Sequence, residues 1–309
     1  MGAWILAGAC GAPQGVVPVI QGTFWPIANN PDLGALQGAQ QQTVDLGVWR
    51  AADGSVQLWS CIRGTNVGGQ GRLFYHWQAH SFTDTSWTPL GIAMEADPQD
   101  GETLGGLQAP FVISANGTFH MYYGDWTAIC EQTSTDGKTF TRRLDATGQC
   151  KLFEEGDDAA NTRDPMVLFD DGKYLVYYSA SVGGSDADYV RTSTDLVTWS
   201  ASTKVAAGGQ AGSGFFSAEC PFVVKEPSTG MYFLFRTQAY GQNAQTSVYR
   251  SPDPMSFGVD DDRYFVGTLP VAAPELVHDG SDWFIVTPNA TLDGYQAARL
   301  GWTTGDHIP

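Results

Sequence analysis

The sequence predicts an all-β fold, a five-bladed β-propeller with four-stranded antiparallel blades around a central channel. Three observations carry this. A Ser/Thr-rich turn that closes on an aromatic occurs four times, and the aromatics Trp87, Phe140, Trp199 and Phe257 lie 53 to 59 residues apart. Prolines at 110, 165, 221 and 274 open apolar strands at a spacing of 53 to 56 residues. After each such strand comes a tight-turn dipeptide and then a strand rich in Tyr, Phe and Trp. A period of about 55 residues with no helical pattern points to propeller blades rather than a helical solenoid.

Within each unit the elements follow in order. The inner strands are predicted at Val44–Trp49, Gln108–Ile113, Arg163–Leu168, Glu219–Val224 and Ala273–Val277. Asp53-Gly54, Asn116-Gly117, Asp171-Gly172, Thr229-Gly230 and Asp279-Gly280 turn them into Val56–Ile62, Phe119–Tyr123, Tyr174–Tyr178, Tyr232–Phe235 and Trp283–Val286. Such dipeptides between apolar runs are strong hairpin signals. The outer turns carry Asp84, Asp136, Asp195 and Asp253 three or four residues before the aromatic. An Asp in that place caps the turn with its own side chain while the ring packs back on the sheet. The fifth unit is short of strands before Pro309. The expectation is a single propeller domain over 1–309, in which residues 1–40, around Phe24-Trp25-Pro26-Ile27, supply the missing strand and close the ring.

Composition narrows the partners. The chain has 309 residues, 42% of them hydrophobic, enough for a sizeable core. It carries 16 Lys+Arg against 33 Asp+Glu, a net charge of −17. That field repels phosphate backbones and anionic lipid, so neither nucleic acid nor a membrane surface is an expected partner. No run of about 18 apolar residues could span a bilayer. Trp4-Ile5-Leu6-Ala7-Gly8-Ala9 reads as a buried strand rather than the tail of a secretion signal, because a basic n-region is lacking, and the compartment stays open. The five cysteines form no regular framework; Cys130 and Cys150 are within reach of pairing, but separate buried thiols are expected. His76 and His80 lack the Glu of a zinc-protease motif and read as structural or surface residues.

The propeller brings the starts of the inner strands together at one mouth of the channel. The residues there are Asp45, Gln108, Asp164, Glu219 and Glu275. Clustered carboxylates repel and must be desolvated, so a fold has no structural reason to gather them. Paired carboxylates perform glycoside hydrolysis: one protonates the leaving oxygen, and the other attacks the sugar or activates water. The second strands return to the same mouth, which places Arg63, Asp125, Trp126, Arg236 and Gln238, together with Arg163, as candidate sugar-binding groups. Forked donors suit vicinal hydroxyls, and an indole offers a stacking plane.

Asp in blade 1, Arg163-Asp164-Pro165 in blade 3, Glu219-Cys220-Pro221 in blade 4 and the Ser-x-Asp-x-x-x-Trp turns together resemble the five-bladed glycoside hydrolases of families 43, 62, 32 and 68. The resemblance covers about residues 40–302. It implies that Asp45 is the base or nucleophile, that Asp164 holds sugar hydroxyls and tunes the pair, and that Glu219 is the general acid. The Arg-Asp-Pro and Glu-Cys-Pro motifs are more similar to families 32 and 68, whereas the single-domain length and the absence of an Asn-Asp-Pro-Asn motif at Asp45 resemble family 43. The implied activity is hydrolysis of furanosides or similar small glycosides, by a monomer. No cofactor is required, no metal ligand set stands out, and a structural calcium is left open by the family 43 resemblance. A carbohydrate-binding propeller without catalysis and a phosphorylase, with Arg63 and Arg236 as its phosphate site, are the alternatives.

Overall fold

A computed structural model describes residues 15–156 and 160–309. Trp4–Ala9 and Cys10 lie outside the described residues. Five antiparallel sheets succeed one another along the chain, each a blade. Blade 1 is built from Gln42–Arg50, Val56–Arg63, Leu73–Ala79 and Thr88–Met94. Blade 2 uses Gln108–Ala115, Thr118–Gly124, Ile129–Ser134 and Lys151–Phe153, with Thr141–Arg142 as a side pairing. Blade 3 uses Arg163–Asp170, Lys173–Val182, Ser185–Ser193 and Thr203–Ala207, and borrows Gly258–Val259 as a short parallel edge. Blade 4 uses Glu219–Lys225, Tyr232–Ala239, Gln245–Ser251 and Phe265–Leu269.

Blade 5 closes the ring. Its three strands Glu275–Asp279, Asp282–Pro288 and Gly294–Thr304 take Val16–Asn29 as their fourth, paired from Val16 with Thr304 to Asn29 with Gly294. Phe24–Ile27 therefore sits where the sequence required a strand. This pairing joins the two ends of the described chain and hides an edge that would otherwise be open. The turn logic also holds. Asp136 Oδ1 accepts from the Lys138 and Thr139 amides at 2.7 and 2.9 Å, and Asp195 Oδ1 from Val197 and Thr198, both at 2.8 Å. Trp87 and Phe257 are buried beneath their turns. Apolar clusters lie between neighbouring blades; Tyr177, Phe222, Phe233 and Phe257 share one of them.

Two expectations about side chains need comment. Cys130 and Cys150 are not separate thiols: they form a disulfide with Cα atoms 5.2 Å apart. Cys130 pairs with Lys151 across the sheet, so strand register brings Cys150 beside it. His76 is structural, as read; its ring is buried against Gln57 Oε1 at 2.7 Å.

The inner strands share one irregularity that positions the site. In blades 1 to 4 the pairing with the second strand slips near the start, so that two residues face one. The bulged pairs are Val44-Asp45, Ala109-Pro110, Asp164-Pro165 and Cys220-Pro221. A bulge tolerates proline, which cannot donate to the ladder, and this explains the proline repeat. Ala109, Asp164, Cys220 and, in blade 5, Ala273 all have positive φ, between 34° and 57°, just before their prolines. Non-glycine residues held there are uncommon and cluster at functional sites.

Candidate active site

The bulges set the acids at staggered places. Sequence comparison of the blades puts Asp45, Asp164 and Glu219 at one equivalent position; the register corrects this. Glu219 is the last paired residue before its bulge, Asp164 the first bulged residue and Asp45 the second. Three copies of one distortion thus deliver three carboxylates to one spot without stacking them at one level.

They do converge. Arg163 Nε lies 3.5 Å from Asp164 Oδ2 and 3.6 Å from Glu219 Oε1. Asp45, Asp164 and the Cys220 thiol offer atoms all within 4.8 Å of one another. Asp45 and Asp164 are buried, and Glu219 keeps 15% of its side chain exposed. Asp164 Oδ2 accepts from the Cys220 amide at 3.0 Å. Asp45 Oδ1 accepts from the Tyr240 hydroxyl at 2.6 Å and from the Cys220 thiol at 3.4 Å. Its other oxygen faces Arg72 Nη1 at 3.9 Å.

Burial dominates the electrostatics. It pushes the Glu219 carboxyl up to about 8; Arg163 opposes this, and Asp164 and Asp45 add to it. Asp164 rises to about 6, first through burial and then through Asp45. Burial also holds the Cys220 thiol and the Tyr240 phenol protonated far above their ordinary ranges, so both act as donors to Asp45. One carboxyl inclined to keep its proton beside another that accepts two hydrogen bonds is the division of labour that acid and nucleophile require. Phe215 and Phe216, four and three residues before Glu219, are each 59% exposed.

The remaining candidates separate into two groups. Trp126 is at the site, stacked with the Arg72 guanidinium at 5.1 Å from the ring centroid. Arg63 reaches Gln42 Oε1 at 2.9 Å and lies 5.9 Å over the Tyr240 ring. Gln108 is buried at the last paired position before the blade 2 bulge, and its Oε1 has no hydrogen-bond partner among the described residues. The others are not rim groups. Arg163 is enclosed and holds the acids, with Asp186 Oδ2 at 2.8 Å behind it. Arg236, opposite the blade 4 bulge, is enclosed and donates to the carbonyls of Ser217, Gly208 and Gly212. Gln238 is used up by Ser217 O, Arg236 O and Ser247. Asp125 is fully buried and caps its own turn through Thr127 and Ala128. Glu275 follows Pro274 and lines a pocket of about 20 Å³, room for one water, that Asp164 and Cys220 of the site also line. Arg72, Tyr240, Asp186 and the thiol role of Cys220 escaped the sequence. Only Cys220, inside the Glu-Cys-Pro motif, carried a signal that could have been used.

Comparisons with known proteins bear on the fold and the family. The profile of glycosyl hydrolases family 32 N-terminal domain matches residues 70–293. That span includes Asp164 and Glu219 and begins after Asp45, so Asp45 is placed by geometry alone. No curated protein matches the chain by sequence. Among solved structures, a thermostable family 43 glycoside hydrolase superposes with a TM-score of 0.62 at 18% identity, over 88% of this chain and 91% of the other. A family 43 β-xylosidase/α-arabinofuranosidase from a compost microbial metagenome, in complex with xylotriose, gives 0.64 at 15% identity, over 92% and 100%. A family 32 β-fructofuranosidase mutant from Bombyx mori, in complex with sucrose, gives 0.60 at 15%, over 88% of this chain and 61% of that one. These likenesses establish the five-bladed fold, and the profile match over most of the chain establishes that it belongs to the glycosyl hydrolase family 32 N-terminal domain family and is a glycosidase.

Proposed function

We propose that the chain cleaves terminal furanosides or closely similar small glycosides, fructoside- or arabinofuranoside-type, by double displacement. Asp45 attacks the anomeric carbon while the bond to the leaving oxygen breaks and Glu219 gives that oxygen its proton. Water then enters from the vacated side. Glu219 takes its proton, and the bond to Asp45 breaks with net retention. Asp164 holds sugar hydroxyls and, through Arg163, shares its field with Glu219. The observation that carries this reading is the pair of acids flanking one buried guanidinium beside a third that receives two neutral donors.

A phosphorylase would need a basic phosphate site, and Arg236, fully enclosed and bound to three carbonyls, is not free to serve as one. A panel of aryl arabinofuranosides, xylosides, fructosides and galactosides, assayed with and without inorganic phosphate, tests the proposal. Sugar release from a furanoside without phosphate is expected. Strict phosphate dependence would favour phosphorolysis, and binding without release would favour the carbohydrate-binding alternative.

A further inference from the structure

The segment before Glu219 is built with unusual effort for a surface loop. Phe215 and Phe216 project from it side by side, ring centroids 6.2 Å apart, each 59% exposed. Phe216 has a φ of 70°, a conformation that a bulky residue avoids. Its amide is fixed by Asp186 Oδ2 at 2.6 Å, and Asp186 is in turn held by Arg163 Nη2. The rest of the loop hangs on Arg236, which donates to Gly208 O, Gly212 O and Ser217 O. Two buried arginines and a buried aspartate thus hold two phenyl rings out in water. The Phe215 ring abuts the Gly184 turn of blade 3, where an added Cβ would meet it at 3.8 Å, and Val182, also exposed, lies on the same rim. Backbone strain and buried charge used to present apolar rings are features of a binding surface rather than of packing.

We infer that Phe215 and Phe216 form a shelf for the leaving group, and that the substrate is an oligosaccharide whose second ring lies with its C–H face on these phenyls. The inference rests on Glu219 as proton donor. The leaving oxygen must lie beside that carboxyl, and the two phenyls stand four and three residues before it on the same chain, tied through Asp186 to Arg163, whose Nε faces Glu219 Oε1 at 3.6 Å. A sugar ring has an apolar face that suits a phenyl, and its hydroxyl edge can remain in water.

The test compares Phe215→Ala, Phe216→Ala and the double variant with wild type on two substrates sharing one glycone: the glycosyl fluoride, whose leaving group is a single atom, and the matching disaccharide. Both rings are exposed, so the fold should be unaffected. The double variant should lose about tenfold or more in kcat/KM on the disaccharide and nothing on the fluoride. Equal losses on both substrates, or no loss on either, would overturn the shelf. Titration of trisaccharides into Asp45→Ala protein, with and without the two phenyls, reads the shelf without turnover. Weaker binding without the rings supports it, and unchanged binding overturns it. A wild-type chain inert on every glycoside would instead refute the hydrolase reading and leave the binding comparison to decide the shelf.

Discussion

Replacing Glu219 with Gln keeps the shape of the side chain and removes its proton. The wild-type carboxyl is pushed up to about 8, chiefly by burial. At pH 6 about 99% of it is then protonated, and at pH 9 only about 10%. For a substrate whose leaving group is a sugar alcohol, kcat/KM should fall about tenfold between those pH values. The limb belongs to the Glu219–Asp164 pair rather than to one residue, since the two share the Arg163 guanidinium. In Glu219→Gln the same substrate should lose about 10²- to 10⁴-fold, the usual worth of a positioned acid. A dinitrophenyl glycoside, whose leaving group needs no proton, should lose far less in its first step, and its alkaline limb should disappear. The assay is initial rate against pH for both substrates and both proteins. Equal losses on the two substrates, or an alkaline limb that survives the substitution, would refute the assignment of the acid.

Three further outcomes follow. Asp45→Ala should be nearly inactive while the fold survives, because the side chain faces the site rather than the packing between blades, and azide should restore turnover as a glycosyl azide of inverted configuration; near-full hydrolysis without additive would remove Asp45 from the mechanism. Asp188 is fully buried, neither oxygen has a hydrogen-bond partner among the described residues, Arg236 lies 3.7 Å away, and burial raises the Asp188 pKa to about 7. Its raised folded-state value favours the protonated form, so its contribution to stability is full below about pH 4 and is lost as pH rises to about 7. Asp188→Asn should therefore flatten the fall in unfolding free energy between pH 4 and pH 8 by up to a few kcal/mol, and an unchanged slope in denaturant titrations would contradict this. Removing the disulfide with Cys150→Ser should cost about 3 kcal/mol by loop-closure entropy, since the cysteines are 20 residues apart; a stability equal to wild type would show that the bridge contributes little.

The blades were legible because each repeats a local rule: proline at a bulge, a dipeptide turn, an Asp cap before an aromatic. Phe24–Ile27 as the closing strand followed by elimination, since blade 5 ran out of chain. The three acids were legible as a group because the channel gathers strand starts, but their order within the bulge was not. A bulge is defined by pairing with the partner strand, and pairing is not written in either strand alone. Arg236 and Gln238 were misplaced for a related reason. A charge at the end of an apolar strand signals either a rim or a buried anchor, and the carbonyls that settle it come from Gly208–Ser217, a loop with no pattern of its own. Tyr240 was missed because a tyrosine beyond a strand end is common, and its one distinguishing contact, Asp45, is 195 residues away.

Asp45, outside the matched family span, is the proposed nucleophile on the sugar whose leaving oxygen Glu219 protonates. Intact-protein and peptide mass spectrometry of Glu219→Ala protein, mixed with an activated furanoside, tests it most directly. Without the carboxylate that activates water, the second step should stall. A glycosyl adduct on the peptide that contains Asp45, discharged by azide, is expected. An adduct on another acid, or an inverted product with no adduct at any time, would contradict it.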